Sequence, residues 1–147
     1  MNDEDIKKFV RSLDGAVCDY PFEDDFETFV MRHGVNKKWF GVYISAPSAS
    51  LLRDCGDSKR AALMHFLGDR KHAFVVCLKC DPELSTVLQQ NYAGIIPAYH
   101  MNKRHWISVV LCADVPDGQT EQLITLSYDI TAPRAGGRRA RKEAWPK

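Results

Sequence analysis

The sequence lacks the long apolar segment that a membrane-spanning helix requires. The longest uninterrupted apolar run is the six residues from Ala73 to Leu78, whereas a helix needs roughly 20 such residues to cross a bilayer. The first residues read Met-Asn-Asp-Glu-Asp, without the basic region and the apolar region that together form a signal peptide. We therefore expect a cytoplasmic protein that has no membrane partner.

The sequence also lacks a complete set of metal ligands. It contains five cysteines, and an odd number of thiols without an export signal is typical of a reducing compartment. Cys77 and Cys80 form one CxxC pair, but a structural zinc site takes four ligands, and no second CxxC pair or HxxxH pair is present. Residues three apart in a strand point to opposite faces of a sheet, which is a poor arrangement for chelation. We expect no metal and no cofactor.

Catalytic motifs are missing as well. The sequence contains no nucleophile motif, no glycine-rich phosphate loop and no metal triad. An enzyme would have to combine one of the five histidines with a cysteine or an acid. His100 and His105 flank one expected hairpin tip and would approach each other across it, but no nucleophile accompanies them. We expect that the protein is not an enzyme and has no catalytic residues.

A strong excess of positive charge is missing from most of the chain. Residues 1–133 carry 14 basic and 18 acidic side chains, a balance of −4, whereas residues 134–147 carry six basic and one acidic, a balance of +5. The isoelectric point of the sequence is about 7.7, and dedicated DNA-binding domains usually exceed about 9. We interpret residues 1–133 as one mildly acidic domain and residues 134–147 as a basic, disordered tail.

The apolar residues that are present follow helical and strand periodicities. Apolar side chains at positions 6, 9, 10 and 13 form one stripe and predict a helix over residues 3–13. Asp-Pro-Glu at 81–83 starts another helix, and Pro-Asp-Gly at 116–118 introduces a last helix that ends near residue 130. Apolar and β-branched runs predict strands over residues 26–32, 38–44, 73–79, 95–101 and 105–112. Turns at residues 33–37 and 102–103 join two pairs of these strands into hairpins.

The order of these elements predicts the fold class. It reads α-β-β-(connection)-β-α-β-β-α, in which residues 45–72 are a long connection or an insertion containing a short helix. Helices before, between and after hairpin strands predict an α+β fold, a two-layer sandwich of an antiparallel sheet with helices on one face. The other face is then open to solvent or to a partner.

Residues 97–106, which read Pro-Ala-Tyr-His-Met-Asn-Lys-Arg-His-Trp, form an unusual run. It occurs together with Tyr-Pro-Phe at 20–22, Lys-Cys-Asp-Pro-Glu-Leu at 79–84, Val-Pro-Asp at 115–117 and Ser-Tyr-Asp at 127–129. In these words the chain resembles the MmcQ/YjbR family over roughly residues 1–131. The resemblance implies a compact fold similar to frataxin-like and type III secretion-chaperone-like domains, and a double-wing DNA-binding motif. Residues 45–72 look longer than the usual connection in the family, and the tail lies outside the shared domain.

The two hairpin tips have similar sequences, which indicates a pair of basic wings. Each combines an Asn turn with two adjacent cations and an aromatic residue. Cations that project from one side of the sheet would neutralise phosphates, so we expect nucleic acid as the partner, with DNA favoured over RNA. The expected nucleic-acid-binding residues are Lys37, Lys38, His100, Lys103, Arg104 and His105. Alternatively, cations at exposed turns simply aid solubility and blunt sheet edges.

Two further interpretations stay open. A non-enzymatic protein-binding adaptor, similar to a chaperone, would use the open face of the sheet or the insertion at residues 45–72. Residues 1–27 hold nine acids against three cations, and a ridge of hard carboxylates suits iron, manganese or calcium. Helix capping and a solvated surface explain the same acids without a metal. We favour that explanation because a fold alone does not fix a function.

Overall fold

The structure, a computed structural model, describes residues 1–133, which form one six-stranded sheet and five helices. The elements are α1 (Asp3–Arg11), β1 (Ala16–Asp19), β2 (Phe29–His33), β3 (Trp39–Pro47), α2 (Ser48–Asp54), α3 (Asp57–Leu67), β4 (His72–Lys79), α4 (Pro82–Asn91), β5 (Ile95–Pro97), β6 (Trp106–Val110) and α5 (Asp117–Ile130). The strand order is β1-β2-β3-β4-β6-β5, and every neighbouring pair is antiparallel. The predicted α+β class and antiparallel sheet are confirmed. The predicted disordered tail at residues 134–147 lies outside the described residues.

The structure corrects the strand predictions: the strand predicted over residues 26–32 spans Phe29–His33, and three further differences concern whole segments. β1 was not predicted, because its four residues are all half-buried and give no contrast between an apolar and a polar face. The strand predicted over residues 95–101 ends at Pro97, since proline has no N–H to donate to a strand ladder. Residues 45–47 of the predicted connection belong to β3, which pairs with β4 as far as Pro47.

Three helices, α1, α4 and α5, cover the first face of the sheet, which we define as the face bearing Phe29 and Tyr43. α1 begins at a capping box in which Asn2 and Asp5 exchange side-chain to backbone hydrogen bonds. The core on this face is built from helix residues Ile6, Val10, Leu88, Leu123, Ile124 and Tyr128 and strand residues Phe29, Met31, Phe40, Tyr43, Val76, Leu78, Ile95, Ile107 and Val109. Each large apolar side chain buried there contributes roughly 1.5–3 kcal/mol.

The other two helices, α2 and α3, pack on the second face and correct the prediction that all helices lie on one side. Apolar residues four apart are buried against the strands: Leu51 of α2 with Cys55, which caps the end of that helix, and Leu63 with Leu67 of α3. The strand residues of this second core are Val30, Val42, Ala46, Ala73, Val75, Cys77, Ile96 and Val110. They alternate with the first-face residues at the two-residue period of a strand. Residues 45–72 therefore complete the core instead of forming a surface excursion.

A serine of α5 bridges β3 and β4 at the end of their hydrogen-bonded ladder. The pairing of β2 with β3 shifts register between Met31 and Arg32, which leaves Phe40 as the extra residue of a bulge. The hydroxyl of Ser127 donates to the carbonyl of Phe40 and accepts from the backbone N–H of Lys79 at 2.9 Å. α5 spans 14 residues, and no helix within residues 1–133 is both long enough and apolar enough to cross a membrane.

Candidate nucleic-acid interface

The two hairpin loops lie at the same end of the sheet. The first wing, residues 34–38, joins β2 to β3, and the second wing, residues 98–105, joins β5 to β6. The last residues of β4 lie beside the first residues of β3 and of β6, because Leu78 pairs with Gly41 of β3 and Lys79 pairs with Trp106 of β6. We call this edge of the molecule the wing end. One strand, β4, separates β3 from β6, so these two strands are roughly 10 Å apart at the strand spacing of a sheet.

The first wing is organised by Asn36. Its side-chain oxygen accepts the backbone N–H of Lys38 at 3.0 Å, and its side-chain amide donates to the carbonyl of Thr131 at 3.1 Å. Lys37 lies in the left-handed region with a φ of 63°, and its N–H donates to the carbonyl of His33 at 3.0 Å. The side chains of Lys37 and Lys38 are both exposed, so the turn presents two cations on a fixed backbone.

The second wing is organised in the same way by Asn102. Its side-chain oxygen accepts the backbone N–H groups of Arg104 at 2.9 Å and His105 at 3.1 Å. His100 has a φ of 62°, and its ring centre lies 3.9 Å from that of Tyr99. Sequence reasoning anticipated the asparagine turn in both wings, and the structure supplies the backbone groups that each asparagine fixes.

The six predicted site residues are not equivalent. The four side chains of Lys37, Lys38, Arg104 and His105 are exposed at the wing end, as is His100. Lys103 is also exposed, but its ammonium donates to the carbonyl of Ala98 at 2.6 Å within its own wing. The ammonium of Lys103 therefore stabilises the second wing through this hydrogen bond, a role that the sequence did not reveal.

The end of α5 also reaches the wing end. The ring Nε2 of His33 lies 2.9 Å from both the carbonyl of Tyr128 and the hydroxyl of Thr131. The hydroxyl of Tyr128 donates to the carbonyl of Asp14 in the loop between α1 and β1. The chain therefore leaves Pro133 at the wing end and continues into residues 134–147, whose sequence carries six cations and one acid.

The two cysteines of the CxxC pair lie on opposite faces of the sheet. Cys77 is part of the second-face core and Cys80 part of the first-face core. Burial raises the pKa of both thiols, that of Cys80 to about 11, which keeps them protonated near neutral pH. Among residues 1–133, no group of three or more His, Cys, Asp or Glu side chains is arranged to hold a metal ion.

An open groove of about 500 Å³ lies at the opposite end of the sheet. Tyr43 and Phe74 contribute its aromatic lining, and their rings stack at 5.0 Å. The groove is also lined by Asp3, Glu27 and Arg70. Because both signs of charge surround it, this groove does not present the uniformly positive surface that a phosphate backbone requires.

Comparisons with known proteins give consistent results. A family model described as YjbR matches residues 11–130. The YyaQ protein of Bacillus subtilis is 35% identical over 128 residues, 87% of this chain and 96% of that protein. The YjbR protein of Escherichia coli K12 is 42% identical over 53 residues, 36% of this chain and 45% of that protein. Both relatives are described as uncharacterised proteins.

Two solved structures are similar to the chain. A crystal structure of a Pseudomonas syringae protein matches with a TM-score of 0.72 and 30% identity, covering 90% of this chain and 100% of that protein. A crystal structure of a Deinococcus radiodurans protein matches with a TM-score of 0.64 and 23% identity, covering 97% of this chain and 88% of that protein. The second likeness bears on the fold alone.

Proposed function

Since the chain belongs to the YjbR family, we propose that its wing end is a non-catalytic surface that binds nucleic acid, with DNA favoured over RNA. The observation that carries the proposal is the position of the two wings at one end of the sheet with exposed cations on each. The cations that contact phosphates in this proposal are Lys37, Lys38, Lys103 and Arg104, and His100 and His105 are secondary contacts.

Phosphate binding is strengthened when cations and hydrogen-bond donors are held in position before the ligand arrives. Asn36 and Asn102 fix the backbone of the two wings, so little conformational entropy is lost when a phosphate binds there. Two anchored loops at one end of the sheet would contact the phosphate backbone of the nucleic acid at two points. Two contacts fix the direction of the nucleic-acid strand across the protein surface, which a single contact does not. Four wing cations give weak binding that depends strongly on salt.

The test is fluorescence anisotropy with labelled duplex and single-stranded DNA across a salt series. The wing variant is Lys37→Gln/Lys38→Gln/Arg104→Gln, in which Lys103 is kept because it bonds to Ala98. The control variant removes the same charge from exposed positions outside the wings, by Lys8→Gln/Arg53→Gln/Lys71→Gln. A chain that ends at Pro133 measures what residues 134–147 add.

We expect the wing variant to bind at least tenfold more weakly than the control variant. The slope of log K against log salt falls by up to about 3 units, since each lost phosphate contact removes about 0.9. Equal Kd values for the wing and control variants would overturn the proposal.

A protein-binding adaptor is then the leading alternative. It is supported by Phe22 and Trp39, which are 44% and 38% exposed and pack edge to face on the second side of the sheet with ring centres 6.4 Å apart.

A further inference from the structure

Aromatic and basic side chains alternate across four neighbouring strands near the wing end. Arg32 of β2 pairs with Trp39 of β3, and Lys79 of β4 pairs with Trp106 of β6. Their chain neighbours Met31, Phe40, Leu78 and Ile107 all belong to the first-face core. Side chains alternate along a strand, which places Arg32, Lys79 and Trp106 on the second face. The bulge at Phe40 interrupts the alternation in β3, so Trp39 is placed by its pairing with Arg32, because directly paired residues share a face. We call this row Arg32, Trp39, Lys79 and Trp106 the tryptophan strip.

The helices on the second face leave the strip accessible. α2 and α3 cover positions further from the wing end, such as Ala46, Val75 and Val110. Trp39 is 38% exposed, Lys79 is partly exposed, and Trp106 is partly exposed at the edge of the second-face core against which it packs. A tryptophan that stays exposed beside a formed core is available to stack on a ligand ring.

The charges around the strip favour a polyanion. Arg32 is neutralised by Asp19, to which its Nε donates. Lys79, between the two tryptophans, has no salt-bridge partner within the described part of the chain. The exposed cations of both wings border the same edge. The strip therefore combines aromatic platforms with a central cation, the arrangement that single-stranded nucleic acids bind.

The distance between the two tryptophans favours a single-stranded ligand over a duplex. The two indoles stand on strands roughly 10 Å apart, about three times the 3.4 Å rise per nucleotide along each strand of a duplex. Bases inside a duplex are stacked on one another and expose only their edges, whereas the splayed bases of a single strand stack on aromatic side chains. An unstacked strand would place a base on each tryptophan and a phosphate near Lys79.

We propose that the tryptophan strip binds the bases of a single-stranded nucleic acid while the wings contact its phosphates. This inference rests on the proposed function and goes beyond it, because it assigns the single strand as the ligand and Trp39 and Trp106 as its base-stacking residues. The wings alone would bind duplex and single strand through the same phosphates.

The test uses the full chain carrying Trp145→Leu, so that Trp39 and Trp106 are the remaining tryptophans. Three probes are titrated while tryptophan fluorescence is recorded: oligothymidylate of 12 nucleotides, an abasic oligonucleotide of the same length, and a 12-base-pair duplex. We expect oligothymidylate to quench the fluorescence and to bind at least tenfold more tightly than the abasic probe. Equal affinity for these two probes, or the absence of quenching by oligothymidylate, would overturn the proposal.

Substitution of Trp39 provides the second arm. Trp39→Leu in the same background should weaken oligothymidylate binding about 5- to 160-fold, the range for losing one stacked base, and leave abasic binding unchanged. Trp39→Phe should restore part of the affinity. The quenching measurement needs no change in the strip, so it decides the question even if Trp39→Leu unfolds.

The outcomes separate this inference from the proposed function. If the wing variant weakens all three probes equally while Trp39→Leu changes none, the wings bind phosphates and the strip does not bind bases. If the wing variant binds every probe as the control does, both proposals fail.

Discussion

The two faces of the sheet are closed to different degrees. On the first face, three helices bury a continuous core, and the rings of Phe29, Tyr43 and Phe74 stack in a row at 4.8 and 5.0 Å. On the second face, two helices from one connection bury a smaller core and leave the tryptophan strip partly exposed. Each face therefore combines a buried core with a partly exposed aromatic surface: the first face at the groove, where Phe74 is 37% exposed, and the second face near the wing end, where Trp39 is 38% exposed.

The largest effect on stability should come from Ser127 on the first-face helix α5. Ser127→Ala removes the hydroxyl that bonds both Phe40 and Lys79, which leaves two backbone groups near the core without that partner. We expect the free energy of unfolding to fall by about 2–4 kcal/mol, measured by urea denaturation, since an unsatisfied buried group costs about 1–3 kcal/mol.

The matched control is Thr125→Ala on the same helix. The Thr125 hydroxyl bonds the carbonyl of Glu121 within the helix, so this change should cost less than about 0.5 kcal/mol. A Ser127→Ala protein as stable as the control would show that the bulge at Phe40 does not depend on α5.

A smaller effect should come from Ser108 on the second face. Its hydroxyl accepts the N–H of Tyr99 at 2.8 Å and lies 3.2 Å from the sulfur of Cys77. Ser108→Ala should cost about 1–2 kcal/mol, because it leaves one backbone donor without its partner. It should also speed amide hydrogen exchange in residues 98–105 while exchange in the first wing stays unchanged. Equal acceleration in both wings would contradict the assignment of Ser108 to the second wing.

An effect confined to alkaline pH arises at the edge of the first face. Burial, followed by the negative charges of Asp3 and Glu27, raises the pKa of Tyr43 from 10.0 to about 12. Between these values the unfolded phenol loses its proton and the folded one keeps it, so stability falls as pH rises from 10 to about 12. Tyr43→Phe should flatten this fall in thermal-unfolding midpoints. An unchanged slope would mean that Tyr43 ionises equally in both states.

Local chemistry made part of the fold predictable from the sequence. The run Asp81-Pro82-Glu83 starts α4 as expected, with the Asp81 carboxylate accepting the N–H groups of Glu83 and Leu84. The pair of asparagine turns was likewise readable, because in each turn the asparagine side-chain oxygen accepts a backbone N–H two or three residues ahead. Such signals need no knowledge of the rest of the molecule.

Long-range packing accounts for what the sequence did not reveal. The spacing of Leu63 and Leu67 indicates a helix, but which face of the sheet it covers depends on strands far away in the chain. The tryptophan strip was missed for the same reason: Lys79 joins Trp106 only through the register of β4 with β6. One local signal was available: Cys77 and Lys79 are two residues apart in β4, so their side chains lie on the same face of the sheet.

Lys37 and His100 carry a further consequence. Within residues 1–133 they are the two residues other than glycine with a positive φ, and there is one in each wing. A side chain in the left-handed region costs roughly 1–2 kcal/mol, and glycine would adopt the same turn without that strain but would present no side chain to a ligand. Selection for a more heat-resistant protein should therefore favour glycine at these two positions. If the wings bind nucleic acid as proposed, the selected variants should bind it more weakly as they become more stable.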